Sequence, residues 1–222
     1  MNNSLVIFGT GTLAKLAHYY VTCEMGGRVC AFVVDRNHKD CDEFLGLPVV
    51  NWDDLHNRFP SARTAMYVAV GYKSMKQREE VFLKVADSGY DLINISSRST
   101  YFAQNICMGQ NNFFMPGVVC EPGVKIGSNN VIWSNVTLCH DVEIGCHNFV
   151  ASNVTIGGET ILGNGNFLGF SSVILQQKRL GDGSLFAANS LITLDAESRW
   201  CYRGAPAKKW KSIDPTVGIC IS

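Results

Sequence analysis

Residues 126–150 read IGSNNVIWSNVTLCHDVEIGCHNFV, and an apolar residue returns at every sixth position of this stretch. A period of six fits neither the 3.6-residue turn of a helix nor the two-residue alternation of a strand, so it indicates a repeat architecture. The spacing continues without interruption over fifteen positions, which are Met108, Phe114, Cys120, Ile126, Ile132, Leu138, Ile144, Val150, Ile156, Leu162, Leu168, Ile174, Leu180, Phe186 and Ile192.

Every third of these residues is followed by glycine, so the full repeat is eighteen residues long. Three short strands per coil describe a triangular parallel β-helix of about five coils, in which each coil buries the interior of its neighbour. Small or slender residues stand four positions after the inward ones, as the corners of such a prism require. The glycines are Gly109, Gly127, Gly145, Gly163 and Gly181, and the slender residues are Val118, Val124, Val136, Val142, Val154, Thr160, Ser172, Ser184 and Ser190.

The chain has 222 residues, with nineteen basic and nineteen acidic side chains. This balance gives no reason to expect a nucleic-acid partner. Nine cysteines at irregular spacings predict reduced, mostly buried thiols rather than a disulfide or zinc framework, and we expect no metal. No apolar run reaches the ~20 residues of a membrane span. Because the first residues also lack a basic leader, we expect a cytoplasmic protein.

The N-terminal half begins with an apolar run that ends in Gly9-Thr10-Gly11, followed by residues at helical spacing. A second apolar run, residues 29–34, ends in Asp35. Strand, glycine turn, helix, strand and acid in this order predict a nucleotide-binding βαβ unit, because the turn lets the backbone approach a phosphate. The alternative is that the glycines only allow tight packing of the strand against the helix.

Further helices are predicted at 52–59 and 73–88, and further strands at 65–70 and 91–95. About 100 residues leave room for one half of a doubly wound domain, which favours a mononucleotide or nucleotide sugar over NAD. Lys73 either contacts a phosphate in the same crevice or is a solvated lysine of a first helical turn. The predicted substrate-binding residues are Gly9, Thr10, Gly11, Asp35, Arg36, Gly71, Tyr72 and Lys73.

His140 and Asp141 fall at a corner of the predicted prism, two and three residues after the inward Leu138. A histidine titrates near neutral pH and can take a proton from an attacking amine or hydroxyl. A neighbouring carboxylate can fix its tautomer and raise its basicity. The alternative is an ordinary surface turn, for which a His-Asp pair is common.

A stripe of small residues follows the inward residues of one face, and its members are spaced eighteen apart. We expect their backbone groups to be open to a long thin ligand along the axis, such as the pantetheine arm of coenzyme A. The alternative is that small residues serve packing or subunit contact. The stripe consists of Ala151, Gly169 and Ala187.

With these hexads, residues 139–144 (CHDVEI) and residues 203–208 (RGAPAK), the chain resembles a known family over nearly its whole length. These are the left-handed β-helix acyltransferases that act on nucleotide-linked amino sugars, including the bacillosamine and perosamine N-acetyltransferases and sialic acid O-acetyltransferase-like proteins. The resemblance implies left-handed coils, a homotrimer with active sites between neighbouring prisms, acetyl-CoA as cosubstrate, and a role in making lipopolysaccharide or O-antigen precursors.

The resemblance also implies that His140 is the general base and Asp141 its acidic neighbour. It assigns the nucleotide pocket to the N-terminal glycines and Asp35. It assigns the coenzyme site to Phe149, Ala151, Gly169, Phe170, Ala187, Ala188 and Lys208.

Three positions depart from the family pattern. Phe149 stands where relatives have a second, coenzyme-contacting histidine; His147 either replaces it or is a surface histidine. Trp133 stands where many relatives have a smaller residue, and the alternative to a functional role is an apolar face buried between subunits. Lys178 replaces the small residue of its hexad, which predicts either a local bulge or a charged contact for the coenzyme phosphates.

We therefore predict three regions: a Rossmann-like nucleotide-sugar-binding α/β half domain at 1–98, a left-handed β-helix at 99–196, and a tail packed on it at 197–222. The predicted function is transfer of an acetyl group to the amino group of a nucleotide-linked amino sugar. The alternatives are O-acetylation of a sugar or sialic acid, a non-catalytic nucleotide-sugar-binding scaffold and, more remotely, a dehydrogenase.

Overall fold

A computed structural model of the chain, which describes residues 4–71 and 73–221, divides into two compact units. The first consists of Met1–Gly71 and Glu80–Ile95, and the second of Tyr72–Glu79 and Ser96–Ser222.

The first unit is built on a twisted sheet in the order β3-β4-β2-β1-β5-β6. Five of its strands are parallel, and β3 pairs antiparallel with β4 in a short hairpin. The bounds of the strands and helices are β1 Ser4–Phe8, α1 Thr12–Tyr19, β2 Val29–Val34, β3 Glu43–Phe44, β4 Leu47–Asn51, α2 Trp52–Arg58, β5 Thr64–Val68, α3 Met75–Ala86 and β6 Asp91–Leu92. A π-helical turn, Tyr20–Glu24, extends α1.

The central strands are buried on both faces, as in a parallel sheet covered by helices. Val6, Ile7 and Phe32 have no exposed surface. The strand order changes direction at β1, because β2 and β4 follow on one side of it and β5 and β6 on the other. A crevice therefore opens at the carboxyl ends of β1 and β5. The sequence predicted one half of a doubly wound domain. The observed sheet is larger, because the hairpin of β3 and β4 adds a parallel strand that was not predicted.

The second unit is a parallel β-helix, as the six-residue period predicted. Each strand pairs in register with the strand eighteen residues later, for example Phe113 with Val131 and Phe149 with Phe167. Its strands are β7 Ile95–Ser96, β8 Tyr101–Phe102, β9 Cys107–Met108, β10 Phe113–Phe114, β11 Val119–Cys120, β12 Lys125–Ile126, β13 Val131–Ile132, β14 Thr137–Leu138, β15 Glu143–Ile144, β16 Phe149–Val150, β17 Thr155–Ile156, β18 Ile161–Leu162, β19 Phe167–Leu168, β20 Val173–Ile174, β21 Arg179–Leu180, β22 Leu185–Phe186, β23 Leu191–Ile192, β24 Trp200–Arg203 and β25 Lys208–Ser212.

We name the three faces of the β-helix in chain order. Face 1 contains β10, β13, β16, β19 and β22; face 2 contains β8, β11, β14, β17, β20 and β23; face 3 contains β9, β12, β15, β18 and β21. Corner 1–2 follows each strand of face 1, corner 2–3 each strand of face 2, and corner 3–1 each strand of face 3. On face 1, β24 continues the sheet in parallel beyond β22, and β25 pairs antiparallel with β24.

The interior of the β-helix is one continuous apolar cluster. It includes every member of the hexad series from Phe114 to Ile192, and Met108 packs at its edge. Burial raises the pKa of the Cys120 thiol to about 12, so this thiol stays protonated. All nine cysteines, which lie within 4–71 and 73–221, are free. The expectation that most are buried is wrong, because only Cys120 is buried, four are half-buried and four are exposed.

A ladder of buried asparagines runs along corner 3–1 and was not predicted from the sequence. Each side-chain oxygen accepts a hydrogen bond from the backbone N–H one coil further, at 2.8–2.9 Å. These residues stand four positions after the inward residues of face 3, where the other faces mostly have valine, serine or threonine. An asparagine there satisfies the buried backbone N–H of the next coil. The ladder consists of Asn112, Asn130, Asn148 and Asn166, and it ends at Ser184.

Lys178 causes no bulge in the β-helix. The strand that follows it, β21, stays in register with β18, and the carbonyl of Lys178 accepts the ladder hydrogen bond from Ile161 at 2.8 Å. Among residues 4–71 and 73–221, no helix is long and apolar enough to cross a membrane.

Candidate active site

His140 and Asp141 form the turn at corner 2–3, between β14 and β15. The imidazole Nδ1 lies 3.1 Å from a carboxylate oxygen of Asp141, and the two side chains are 57% and 65% exposed. Asp141 has a φ of 56°, a left-handed conformation that aspartate tolerates better than most residues. An Nδ1–H donor toward Asp141 leaves Nε2 with a lone pair that can accept a proton, as a general base requires.

Carboxylates surround His140 and make its imidazole more basic. The hydrogen bond to Asp141 is the largest cause of a raised pKa for His140, and the negative charges of Asp141, Glu159 and Glu121 raise it further. Glu121 also accepts a hydrogen bond from the backbone N–H of His140 at 2.8 Å. Glu121 and Glu159 were not predicted from the sequence as neighbours of His140. They lie nineteen residues before and after it, one residue more than the eighteen-residue period.

Gly158 lies directly over the His140 ring, one coil further along the β-helix. A Cβ atom at Gly158 would lie 2.5 Å from Nε2 of His140, closer than side-chain carbons approach other atoms. Glycine at this position therefore leaves the space that the imidazole occupies. The contact between Gly158 and the His140 ring was not predicted, although the two residues are eighteen positions apart in the sequence.

The small-residue stripe stands at corner 1–2, and its backbone is not open as predicted. The N–H groups of Ala151, Gly169 and Ala187 donate to carbonyls of the next coil at 2.7–2.9 Å. These three amides therefore cannot donate to a ligand, and Ala151 and Gly169 are buried, which leaves only Ala187 half-buried at the surface. Phe170 and Ala188, in the neighbouring column, are exposed, and Lys208 is exposed at the start of β25.

Phe149 and His147, two candidates for coenzyme contact, are both buried in the single chain. The Phe149 side chain is 3% exposed and stacks on Phe167, with ring centroids 5.2 Å apart. The Trp133 ring lies 6.0 Å from that of Phe149. The Phe149 side chain therefore presents little surface to a coenzyme in the single chain. Among the described residues, Nε1 of Trp133 is buried without a hydrogen-bond partner.

The expectation that His147 is a surface histidine is also wrong, because it is 8% exposed. Its Nδ1 accepts a hydrogen bond from the amide of Asn129 at 2.9 Å. Arg78, at 1% exposure, donates to the backbone carbonyls of His147 and Asn129. Burial, and then the charge of Arg78, lower the pKa of His147 from 6.5 to about 4. His147 is therefore a neutral structural residue at neutral pH.

This burial predicts an acid-dependent loss of stability. Because the folded-state pKa of His147 is about 4 and the unfolded value is 6.5, the stabilisation is complete above pH 6.5 and is lost as the pH falls toward 4. In His147→Asn, which suits the φ of 64°, we expect Tm to fall less between pH 7 and pH 4 than in the wild type. Differential scanning calorimetry checks this, with the exposed His56→Asn as control. Parallel Tm curves for wild type and His147→Asn would contradict it.

The glycine turn of the first unit lies at the carboxyl end of β1, as predicted. Gly9 has a φ of 113°, and a Cβ there would lie 3.0 Å from the carbonyl oxygen of Ala69. Its N–H donates to Val33 at 2.8 Å and cannot bind a phosphate. Thr10 is half-buried, Gly11 is exposed, and α1 begins directly after Gly11, which has no side-chain cap. The exposed helix N-terminus is the part of the turn that can face an anion.

The charged residues predicted to join this crevice have partners of their own. Asp35 forms an ion pair with Lys84, whose ammonium also lies 4.7 Å from the centre of the Trp52 ring. Arg36 lies 3.7 Å from the carboxylate of Asp53, and both side chains are largely exposed.

The last three predicted substrate-binding residues follow β5. Gly71 is exposed in the first unit, and Tyr72 lies outside the described residues. Lys73 is exposed and belongs to the second unit, where its carbonyl accepts a hydrogen bond from Ile221 at 3.2 Å. Among residues 4–71 and 73–221, no group of three or more His, Cys, Asp or Glu side chains could hold a metal ion.

No protein-family model and no curated protein matches the chain. Among solved structures it is similar to the acetyltransferase domain of PglB from Neisseria gonorrhoeae FA1090 in complex with acetyl coenzyme A. The TM-score is 0.83 at 20% identity, covering 95% of this chain and 100% of that one.

A second similar structure is a histidine-to-alanine mutant of GDP-perosamine N-acetyl transferase from Caulobacter crescentus in complex with CoA and GDP-perosamine. Its TM-score is 0.85 at 22% identity, covering 96% of this chain and 99% of that one. A third is WeeI from Acinetobacter baumannii AYE, with a TM-score of 0.62 at 16% identity, covering 93% and 99%. The chain shares the fold of these proteins.

Proposed function

We propose that the chain transfers an acetyl group from acetyl-CoA to the amino group of a nucleotide-linked amino sugar. The observation that carries this proposal is the exposed His140–Asp141 pair, whose imidazole lies in the space left by Gly158. The shared fold supports it, because the similar structures include an acetyltransferase with acetyl coenzyme A and another with CoA and GDP-perosamine.

In the proposed reaction the amine nitrogen attacks the thioester carbonyl while Nε2 of His140 accepts its proton. Asp141 holds Nδ1–H and stabilises the imidazolium that forms. The tetrahedral intermediate then collapses, the carbon–sulfur bond breaks, and the coenzyme leaves as a thiolate that takes up a proton. The products are an amide and free coenzyme A. The reaction needs no acyl-enzyme, and Cys139 is a poor nucleophile because burial, followed by the charge of Glu121, raises its pKa.

Face 2 supports a homotrimer with sites between neighbouring prisms. Its outward residues carry no charge and are Tyr101, Val119, Thr137, Thr155, Val173 and Leu191. His140 stands at one edge of this face and the small-residue stripe at the other. Packing an uncharged face against a second copy brings His140 of one copy toward corner 1–2 of another, where Phe170 and Ala188 are exposed beside the stripe and can contact the pantetheine arm. Phe170, 59% exposed at the stripe, is then covered.

The nucleotide of the acceptor is assigned to the first unit. The exposed N-terminus of α1 at Gly11 and Thr12 can bind a phosphate through backbone N–H groups and the helix dipole. Arg36 is an exposed cation that can add to such a site.

The test of this function is acetylation of a panel of nucleotide-linked amino sugars, read by release of free coenzyme A thiol. We expect turnover with at least one amino sugar and a product heavier by one acetyl group in mass spectrometry. The matching hydroxy sugars distinguish N- from O-acetylation. No thiol release and no thermal shift with acetyl-CoA would leave a scaffold as the better description. Light scattering of the intact protein tests the homotrimer.

Gly158→Ala should damage the reaction without unfolding the protein. Its Cβ would occupy the position of Nε2 of His140, so the imidazole must turn away from the substrate. Because misplacement of a reacting group by 1 Å costs up to about 100-fold, we expect kcat to fall about 10- to 100-fold. Steady-state kinetics with a Tm measurement checks this. Gly165→Asn is a control for glycine replacement, because asparagine tolerates the φ of 64° at this turn and a Cβ there meets no atom within 4 Å. Equal kcat values for both variants would contradict this prediction.

A further inference from the structure

The second residue of each turn at corner 3–1 has a backbone N–H that its own coil does not satisfy. In coil after coil, the side chain eighteen residues later accepts this hydrogen. Cys146 N–H donates to Asn164 Oδ1 at 2.7 Å, and Asn164 N–H donates to Asp182 Oδ1 at 2.6 Å. Ser128 N–H donates to the sulfur of Cys146 at 3.2 Å. The β-helix thus caps these turns from the next coil.

His140 occupies the equivalent second position of a turn at corner 2–3, and it cannot be capped in the same way. The residue eighteen positions later is Gly158, which has no side chain to accept the hydrogen. A side chain there would meet the imidazole, since even a Cβ would lie 2.5 Å from Nε2. The space that His140 needs therefore removes the usual cap from its own backbone.

Glu121 supplies the cap from the opposite side. Its Oε2 accepts the His140 N–H at 2.8 Å, from the coil that precedes His140. The main-chain carbonyl of His140 accepts the Glu159 N–H at 3.0 Å, so both peptide groups of His140 are held.

We propose that Glu121 is a positioning residue for His140: its carboxylate holds the backbone of the turn so that the imidazole stays over Gly158 in line with the substrate amine. This inference rests on the proposed acetyl transfer. The two carboxylates contact different parts of His140. Asp141 holds the ring through Nδ1, whereas Glu121 holds the main chain through N–H.

Glu159 provides a matched control, because it acts on His140 through its charge but does not cap it. Its carboxylate accepts a hydrogen bond from the Gln177 amide at 3.3 Å. Removal of the negative charge at either position lowers the pKa of His140. Replacement of Glu121 by a residue without a hydrogen-bond acceptor has a second effect, because it also leaves the His140 N–H without its side-chain acceptor.

The kinetic test compares Glu121→Ala, Glu121→Gln and Glu159→Gln in the full-length protein. We expect Glu121→Ala to lower kcat about 10- to 100-fold with KM within about threefold of the wild type, because the acceptor site itself is untouched. Glu121→Gln keeps an oxygen acceptor and should recover most of kcat, as should Glu159→Gln. A Glu121→Ala variant with more than half of the wild-type kcat, or a Glu121→Gln variant as slow as Glu121→Ala, would overturn the proposal.

A second measurement needs no substrate and so separates this proposal from the proposed function. Amide hydrogen exchange at His140, followed by NMR or mass spectrometry, should be at least tenfold faster in Glu121→Ala than in the wild type and little changed in Glu159→Gln. Unchanged exchange in Glu121→Ala overturns the proposal even if the enzyme is active. Faster exchange in a protein that acetylates no amino sugar supports the cap and refutes the proposed function alone.

Discussion

His140→Ala should lower kcat for acetyl transfer by about 10²- to 10⁴-fold, the range by which a positioned general base accelerates proton transfer. The alanine leaves the turn and its backbone hydrogen bonds in place, because the contacts of His140 to Glu121 and Glu159 are made by the main chain. KM for acetyl-CoA should change little. Steady-state kinetics of thiol release, with circular dichroism to confirm folding, measures the effect.

The pH profile gives the same prediction a second readout. The pKa of His140 is raised, mainly by its hydrogen bond to Asp141. As the pH falls, the imidazole is therefore protonated, and stops acting as a base, at a higher pH than the imidazole of an isolated histidine. The wild-type kcat/KM should therefore fall as the pH decreases through the raised pKa of His140, and Asp141→Asn should move this fall to lower pH. His56→Ala, at an exposed position on α2, is the control. Thiol release by His140→Ala within tenfold of wild type would refute the role of His140.

Asn130→Ala should lower the free energy of unfolding of the β-helix by about 3–5 kcal/mol, since each buried polar group left unpaired costs about 1–3 kcal/mol. Asn130 has no exposed surface. Its oxygen accepts the Asn148 N–H at 2.9 Å, and its amide donates at 3.0 Å to Asn112 and to the carbonyl of Gly145. Alanine leaves the Asn148 N–H and the Gly145 carbonyl without these hydrogen bonds and a cavity beside them, whereas Asn112 keeps the backbone N–H of residue 130.

Urea unfolding followed by tryptophan fluorescence measures this loss, since three of the four tryptophans belong to the second unit. Gln110→Ala, which removes an amide side chain from an exposed position of the same corner, should shift the free energy by less than about 0.5 kcal/mol. An Asn130→Ala protein as stable as the Gln110→Ala protein would show that the ladder contributes little.

The β-helix could be predicted from the sequence because its contacts repeat at one fixed separation. A side chain at position 132 meets positions 114 and 150, so a periodic pattern states the packing directly. The same period predicted that His140 lies at a corner. Gly158 follows from it as well, because it lies eighteen residues after His140, whereas Glu121 lies nineteen residues before His140 and belongs to the neighbouring column.

Other features could not be predicted, because they depend on contacts without a period. His147 is buried by Arg78, which lies 69 residues earlier in the chain on α3. The hydrogen bonds of the stripe at Ala151 were missed because apolar spacing reports where side chains point, whereas the N–H groups run along the axis. The strand β4 was missed because it contains Pro48 and is reached through a tight hairpin at Leu45-Gly46.

The three faces of the prism differ in their outward residues, and this difference limits which insertions and deletions the β-helix can accept. Deleting eighteen residues beyond Leu180 removes one coil but returns every later residue to its own face. Deleting six residues keeps all the inward side chains inward, so the core still forms, yet it turns everything downstream by a third of a revolution. Ala187 would then stand at corner 3–1 instead of corner 1–2, and the last coils would present the wrong side to a second copy. Insertions and deletions in relatives of this protein should therefore come in multiples of eighteen between corner 2–3 and the final coil, and in any length only within the turns.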